Sequence, residues 1–287
     1  MPFKSTLARL QKRVDEYIQN YCDELQKNLT EPGVSELLRA MDYSVFSGGS
    51  RLRPALCLLT AETLGVDGEK VLPLATAIEF THCYSLIHDD LPCMDDDDFR
   101  RGKPSNHKVF GDAMAVLAGD ALATEAFSVL ARGYSREPAL ALELVGDLAK
   151  AAGALGMAGG QAVDLVFRDR TLTTENLEFL HSRKTGALLR ASVVSSAKVC
   201  GATPAQIEAL DIYANRLGLV FQIADDISDG ATHSEEPSFV RVVGLEKAKE
   251  YCANLIDQAN RALEPFGSAA QNLKDMIRYI YERTATS

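Results

Sequence analysis

An all-α fold is predicted by three features of the sequence. Apolar residues recur every three or four positions along most of the chain, prolines stand at the starts of those stretches and between them, and no run of β-branched residues reads as a strand. The sharpest start signal is T-P-A-Q from Thr203: a hydroxyl cap, a proline at the first helical position and Gln206 three residues after the cap. From there Ile207, Leu210, Ala214, Leu217, Val220, Phe221, Ala224 and Ile227 form one apolar stripe. The same spacing predicts helices over residues 5–29, 36–46, 54–64, 71–91, 112–131, 138–155, 174–183, 186–199, 245–263 and 269–281. No linker, repeat or low-complexity tract interrupts them, so residues 1–287 are expected to form a single domain.

With 46% apolar and 24% charged residues the chain has material for a buried core, which excludes a disordered or fibrous protein. No stretch approaches the ~20 consecutive apolar residues of a membrane-spanning helix, and the first residues lack the apolar block of a secretory signal. A cytoplasmic protein without a membrane span is therefore expected. Thirty Lys and Arg against 40 Asp and Glu leave a charge of −10, whose field repels nucleic acid. The six cysteines are scattered, with no C-x-x-C pair, and read as reduced and mostly buried.

The acids carry the first chemical signal. Residues 89–98 read DDLPCMDDDD, six carboxylates in ten positions, after an apolar helix and before FRRGK. Two unit charges ~4 Å apart repel by ~1 kcal/mol in water and several-fold more in a partly dry cleft, so such crowding calls for a cation. Hard carboxylate oxygens favour Mg²⁺. A second group, Gln222, Asp225, Asp226 and Asp229, falls at i, i+3, i+4 and i+7 of the helix that starts at Thr203, hence on one face. Two aspartate motifs on separate helices suggest a shared cavity. Arg51 and Arg53 in GGSRLRP, Arg100 and Arg101 after the first motif, and Lys184 in HSRKTG add the donors that bind phosphate oxygens. Mg²⁺-type acids together with several cations suit a diphosphate ligand. There is no P-loop, and Gly48-Gly49 and Gly159-Gly160 read as lying between helices.

At these residues the chain resembles the trans-isoprenyl diphosphate synthases, nearest to the bacterial farnesyl and the bacterial or plastid geranylgeranyl members. The likeness runs through GGSRLRP, HCYSLIHDDLPCMDDDDFRRGKPSNHKVFG, LAGDAL, GGQAVDL, KTGALL and FQIADDISD. It implies antiparallel helices around a deep central cavity and a homodimer. It casts Asp89, Asp90, Asp95, Lys184, Asp225 and Asp226 as catalytic, with Asp89, Asp95, Asp225 and Asp229 holding Mg²⁺. Arg100, Lys184, Thr185 and Gln222 would bind the allylic diphosphate, and Arg53, His82 and Arg101 the isopentenyl diphosphate. Tyr84 lies five residues before Asp89, ~7.5 Å of helical rise, and a bulky aromatic there implies a C15 product. Farnesyl diphosphate is expected, with geranylgeranyl diphosphate as the alternative.

Two positions depart from the family pattern. Ser50 stands where a lysine is usual, and residues 230–243 form a short connection without lysine. Either Arg241 partly replaces the lost charge or closure of the site relies on other elements. A non-catalytic synthase-like subunit and a class I terpene cyclase are the rival readings; both intact aspartate motifs oppose the first, and DDISD opposes the second.

Overall fold

A computed structural model describes residues 2–27, 31–167, 173–229 and 238–285. In chain order it contains α1 (Pro2–Gln26), α2 (Pro32–Val45), α3 (Leu52–Thr63), α4 (Leu72–Asp89), a hairpin of β1 (Phe99–Arg100) and β2 (Lys103–Pro104), α5 (Asn106–Phe110), α6 (Asp112–Gly133), α7 (Pro138–Ala152) and α8 (Met157–Phe167). Then follow α9 (Thr174–His181), a π turn (Ser182–Gly186), α10 (Ala187–Val199), α11 (Pro204–Asp229), α12 (Phe239–Val243), α13 (Leu245–Ala262) and α14 (Gln271–Ala285). The all-α expectation is met. The helices gather into two compact units, Pro2–Ala55 with Leu72–Val145 and Leu56–Val71 with Gly146–Ser287.

In the first unit every residue of α4 from Leu72 to Thr81 is buried, so this stretch is enclosed around its whole circumference instead of along one stripe. Helix α6 packs on it through small residues, Ala115, Ala118, Gly119 and Ala126, which let the backbones approach. A Cβ on Gly119 would fall 2.8 Å from Cε1 of His88, so the LAGDAL segment is what admits the His88 ring at the end of α4. Among the described residues α6 is the one helix long and apolar enough to cross a membrane. It carries Asp120 and Glu125, and Tyr21 of α1 donates to Glu125 at 2.6 Å, as suits a helix of this packed unit.

The buried pair Arg51–Glu79 ties the entry of α3 to the middle of α4. The two side chains are 3% and 2% exposed and 2.7 Å apart. Arg51 also donates to Asp15 at 2.9 Å and to the Val45 carbonyl at 2.5 Å. Its donors are therefore spent inside the unit, which corrects the reading of Arg51 as a phosphate ligand.

The second unit is built on α11, whose buried face runs through Leu210, Tyr213, Ala214, Leu217, Val220 and Ala224 against α10, α13 and α14. Its predicted start is realised in full: Gln206 N–H donates to Thr203 Oγ1 at 3.3 Å, and Thr203 N–H to Gln206 Oε1 at 2.9 Å.

Among the described residues the hairpin, α5, α8, α12 and the π turn were not predicted. Gly159 and Gly160, expected between helices, lie inside α8. The reason is tertiary. A Cβ on Gly160 would sit 2.6 Å from the Lys184 Cα, and one on Gly218 would sit 2.9 Å from the Gly186 Cα, so glycines on α8 and α11 let both helices meet the π turn. Packing overrides the poor helix propensity of the glycine pair.

Two substitutions test this packing. Gly160→Ala is expected to destabilise the protein by ~1–3 kcal/mol in urea titration, because the clash is with backbone. Arg51→Ala is expected to cost ~3–5 kcal/mol, and the paired change Arg51→Met with Glu79→Leu to recover most of it; a single substitution that costs under ~1 kcal/mol contradicts a buried pair.

Candidate active site

In the first unit the C-terminus of α4 delivers the acids. After Asp89 the chain folds back, with Asp95 N–H donating to the Asp89 carbonyl at 2.9 Å and Asp96 N–H to the Leu91 carbonyl at 3.1 Å. The fold-back returns Asp95 to the helix end that Asp89 closes. Asp90 is 2% exposed and accepts from Arg100 through Nε at 2.9 Å and through Nη2, which also reaches Asp97 at 2.8 Å. Burial raises the Asp90 pKa, opposed by Arg100. The donor chemistry at this end is carboxylate oxygen, which fits a hard divalent ion.

Arg100 and Arg101 are presented by the β1–β2 hairpin, Phe99 pairing Pro104 and Arg100 pairing Lys103. Its two turn residues, Arg101 and Gly102, have φ of 54° and 76°, the both-positive geometry of a tight hairpin turn. The Tyr43 hydroxyl donates to the Pro104 carbonyl at 2.7 Å and steadies the second strand. Arg101 in turn donates to the Gly48 carbonyl, and a Cβ on Gly49 would fall 2.5 Å from its Cζ. The glycines of GGSRLRP therefore make room for the guanidinium of FRRGK.

These contacts gather the predicted isopentenyl-side residues. His82 on α4 is held well below the usual histidine range, first by burial and then by the positive charges of Arg53, Arg101, Arg51 and Arg100. A neutral imidazole among guanidinium groups offers hydrogen-bonding groups suited to an anion. Ser50, where the family usually has lysine, meets α1: its carbonyl accepts from Gln11 at 2.6 Å. Tyr84 is half-buried two residues along α4, its ring 5.9 Å from that of His88, and burial and the Asp89 charge raise its pKa.

In the second unit Lys184 sits in the π turn, an insertion that is frequent at functional positions. Its Nζ is 2.6 Å from Asp164 Oδ2 on α8. Close by in sequence, Gln161 has both amide atoms buried without a hydrogen-bond partner, and the buried His181 leaves Nδ1 in the same state. Burial lowers the His181 pKa to about 4. Thr185, Gln222 and Asp225 are half-buried. Asp226 is 9% exposed and accepts the Phe239 N–H at 2.7 Å, so it anchors the start of α12. The Asp229 side chain and residues 230–237 lie outside the described residues. Arg241 is exposed on α12.

Sequence reasoning assigned no role to Gln161, Asp164 or His181. The signal was present: GGQAVD places Gln161 and Asp164 at i and i+3, one face of a helix, once the glycine pair is read as helical.

The chain is similar to known proteins in sequence and in fold. The model of the polyprenyl synthetase family matches residues 34–239. Farnesyl diphosphate synthase of Micrococcus luteus is 40% identical over 277 residues, 92% of this chain and 95% of that protein. That of Geobacillus stearothermophilus is 44% identical over 272 residues, 90% of each. Geranylgeranyl pyrophosphate synthase 7, chloroplastic, of Arabidopsis thaliana is 41% identical over 273 residues, 89% of this chain and 78% of that one. Among solved structures, an apo FPP/GFPP synthase from Zymomonas mobilis superposes with a TM-score of 0.90 at 40% identity, covering 96% of this chain and 99% of that one.

The lowered His181 pKa sets a pH dependence. Between pH 6.5 and about 4 the unfolded chain binds the proton and the native state does not, so stability is full above this window and falls as pH drops through it. The loss attributable to this group is on the order of 3 kcal/mol. Urea titrations across that range should show a shallower decline for His181→Gln than for the unmodified chain; parallel declines would remove the assignment.

Proposed function

Since the chain belongs to the polyprenyl synthetase family and is thereby a short-chain trans-prenyltransferase, we propose that it condenses isopentenyl diphosphate with dimethylallyl or geranyl diphosphate to give farnesyl diphosphate. The observation that carries the reading is the crowding of Arg53, Arg100 and Arg101 around a neutral His82, on the helix that ends at Asp89. These guanidinium groups bring positive charge and hydrogen-bond donors of the kind that hold diphosphate oxygens.

In this proposal Asp89, Asp95, Asp225 and Asp229 hold Mg²⁺, which when bound supplies neutralisation of the charge on the departing diphosphate. Asp90 and Asp226 act through what they position: Asp90 orients Arg100, and Asp226 orients the start of α12. With Nε and Nη2 of Arg100 committed to Asp90 and Asp97, Nη1 is the nitrogen assigned to the allylic diphosphate. Lys184, aimed by Asp164, serves the same diphosphate, with Thr185 and Gln222. Arg53, His82 and Arg101 bind the isopentenyl diphosphate, His82 as a neutral hydrogen-bonding group.

The chemistry balances without a covalent nucleophile on the protein. The allylic C–O bond breaks and the diphosphate leaves with its electron pair; the isopentenyl alkene attacks the allylic cation; a proton passes to the released diphosphate and restores an alkene. Tyr84 closes the pocket at C15. The protein is proposed to work as a homodimer in the cytoplasm. A C20 product is the second reading, favoured by the plastid relative named geranylgeranyl pyrophosphate synthase.

Incubation with Mg²⁺, isopentenyl diphosphate and geranyl diphosphate, followed by dephosphorylation and sizing of the alcohols, is expected to give C15. Asp89→Ala and Asp225→Ala are each expected to lower turnover by ~10²–10³-fold. Tyr84→Ala is expected to shift the product toward C20. A C20 product from the unmodified chain rejects Tyr84 as the floor, and no elongation with either starter rejects the synthase reading.

A further inference from the structure

A separate set of ligand-type atoms lies at the base of the hairpin. One carboxylate oxygen each from Asp96 and Asp98 and one ring nitrogen of His107 all fall within 4.8 Å of one another. Both aspartates are exposed, and acids alone would signify little. The independent observation is His107, which is 5% exposed and has both Nδ1 and Nε2 buried with no hydrogen-bond partner. A buried polar atom left unsatisfied costs ~1–3 kcal/mol, and a ligand shared with the two carboxylates removes that cost at the one ring nitrogen it engages.

The backbone builds the group from both sides. Ser105 N–H donates to the Asp98 carbonyl at 2.9 Å and closes the hairpin, which brings the acids before β1 back to the residues after β2. His107 is held from elsewhere: its neighbour Asn106 donates to the Ala40 carbonyl and to Ser44 Oγ, each at 2.8 Å, which pins the first turn of α5 to α2. One cation competes. Lys108 Nζ is 2.6 Å from Asp98 Oδ1, but this pair is exposed, and exposed pairs are worth ~0–1 kcal/mol.

We propose that Asp96, Asp98 and His107 bind a divalent transition-metal ion of the zinc, manganese or cobalt class, which ties the first aspartate motif to α5 across the base of the hairpin. An imidazole nitrogen beside carboxylate oxygens selects these ions over Mg²⁺. The ligands differ from the four carboxylates assigned to Mg²⁺, and the inference does not rest on the substrate reading.

The probe is Co²⁺, titrated into the metal-stripped full chain with Mg²⁺ in excess and no diphosphate, and followed by visible d–d absorption. One ion per chain is expected to bind. His107→Gln and Asp98→Asn are each expected to weaken binding at least ~10-fold, Lys108→Gln to strengthen it, and Asp225→Asn to leave it unchanged. Helical circular dichroism establishes that each variant is folded; should His107→Gln fail to fold, the exposed Asp98 and Lys108 variants decide. Absence of Co²⁺ binding, equal affinity in Asp98→Asn, or loss of binding in Asp225→Asn overturns the proposal.

Discussion

Repulsion among the carboxylates that follow α4 is the constraint on which the first unit depends. Six acids in ten residues have to be housed where part of the surface is dry. The fold distributes cations among them: Arg100 takes Asp90 and Asp97, and Lys108 takes Asp98. Each assignment requires another. Arg100 is in place because the hairpin forms, the hairpin forms because Arg101 and Gly102 both accept positive φ, and Arg101 then reaches the Gly48 carbonyl past a glycine with no Cβ to obstruct it. Acid motif, hairpin and glycine loop are thus one electrostatic device, and His82 beside them stays neutral first because it is buried and then because Arg53 and Arg101 stand near it.

The second unit meets a different demand with similar means. Lys184 has to be presented from a helix without losing its orientation, and Asp164 supplies the partner at 2.6 Å. The π turn that carries Lys184 is packed by helices whose contact residues are Gly160 and Gly218, so backbone lies against backbone. Such close packing limits the rotations open to the turn. On the helices that flank the turn, Gln161 of α8 and His181 of α9 bury polar atoms that make no hydrogen bond.

Much of this was legible in the sequence, and the reasons for the remainder are specific. The stripe from Ile207 to Ile227 and the cap at Thr203 are local signals, and α11 begins where they place it. The gathering of Arg53, His82 and Arg101 followed from a family resemblance, and the charges around His82 place them together. Helix α8 was missed because Gly159 and Gly160 oppose a helix locally and are justified only by the approach to Lys184. The hairpin was missed because strands of two residues leave no alternation to read. Arg51 looked like a phosphate ligand beside Arg53, yet its neighbour in space is Glu79, 28 positions away, and no spacing rule connects them. The His107 nitrogens carry no sequence signal at all, since only burial sets them apart.

The central proposal is that the aspartate motif of each unit serves a Mg²⁺-bound diphosphate. Calorimetric titration of the full chain with inorganic diphosphate tests it most directly. Binding is expected to require Mg²⁺ and to be lost both in Asp89→Asn and in Asp225→Asn. Binding that is indifferent to Mg²⁺, or that survives either substitution undiminished, would contradict it.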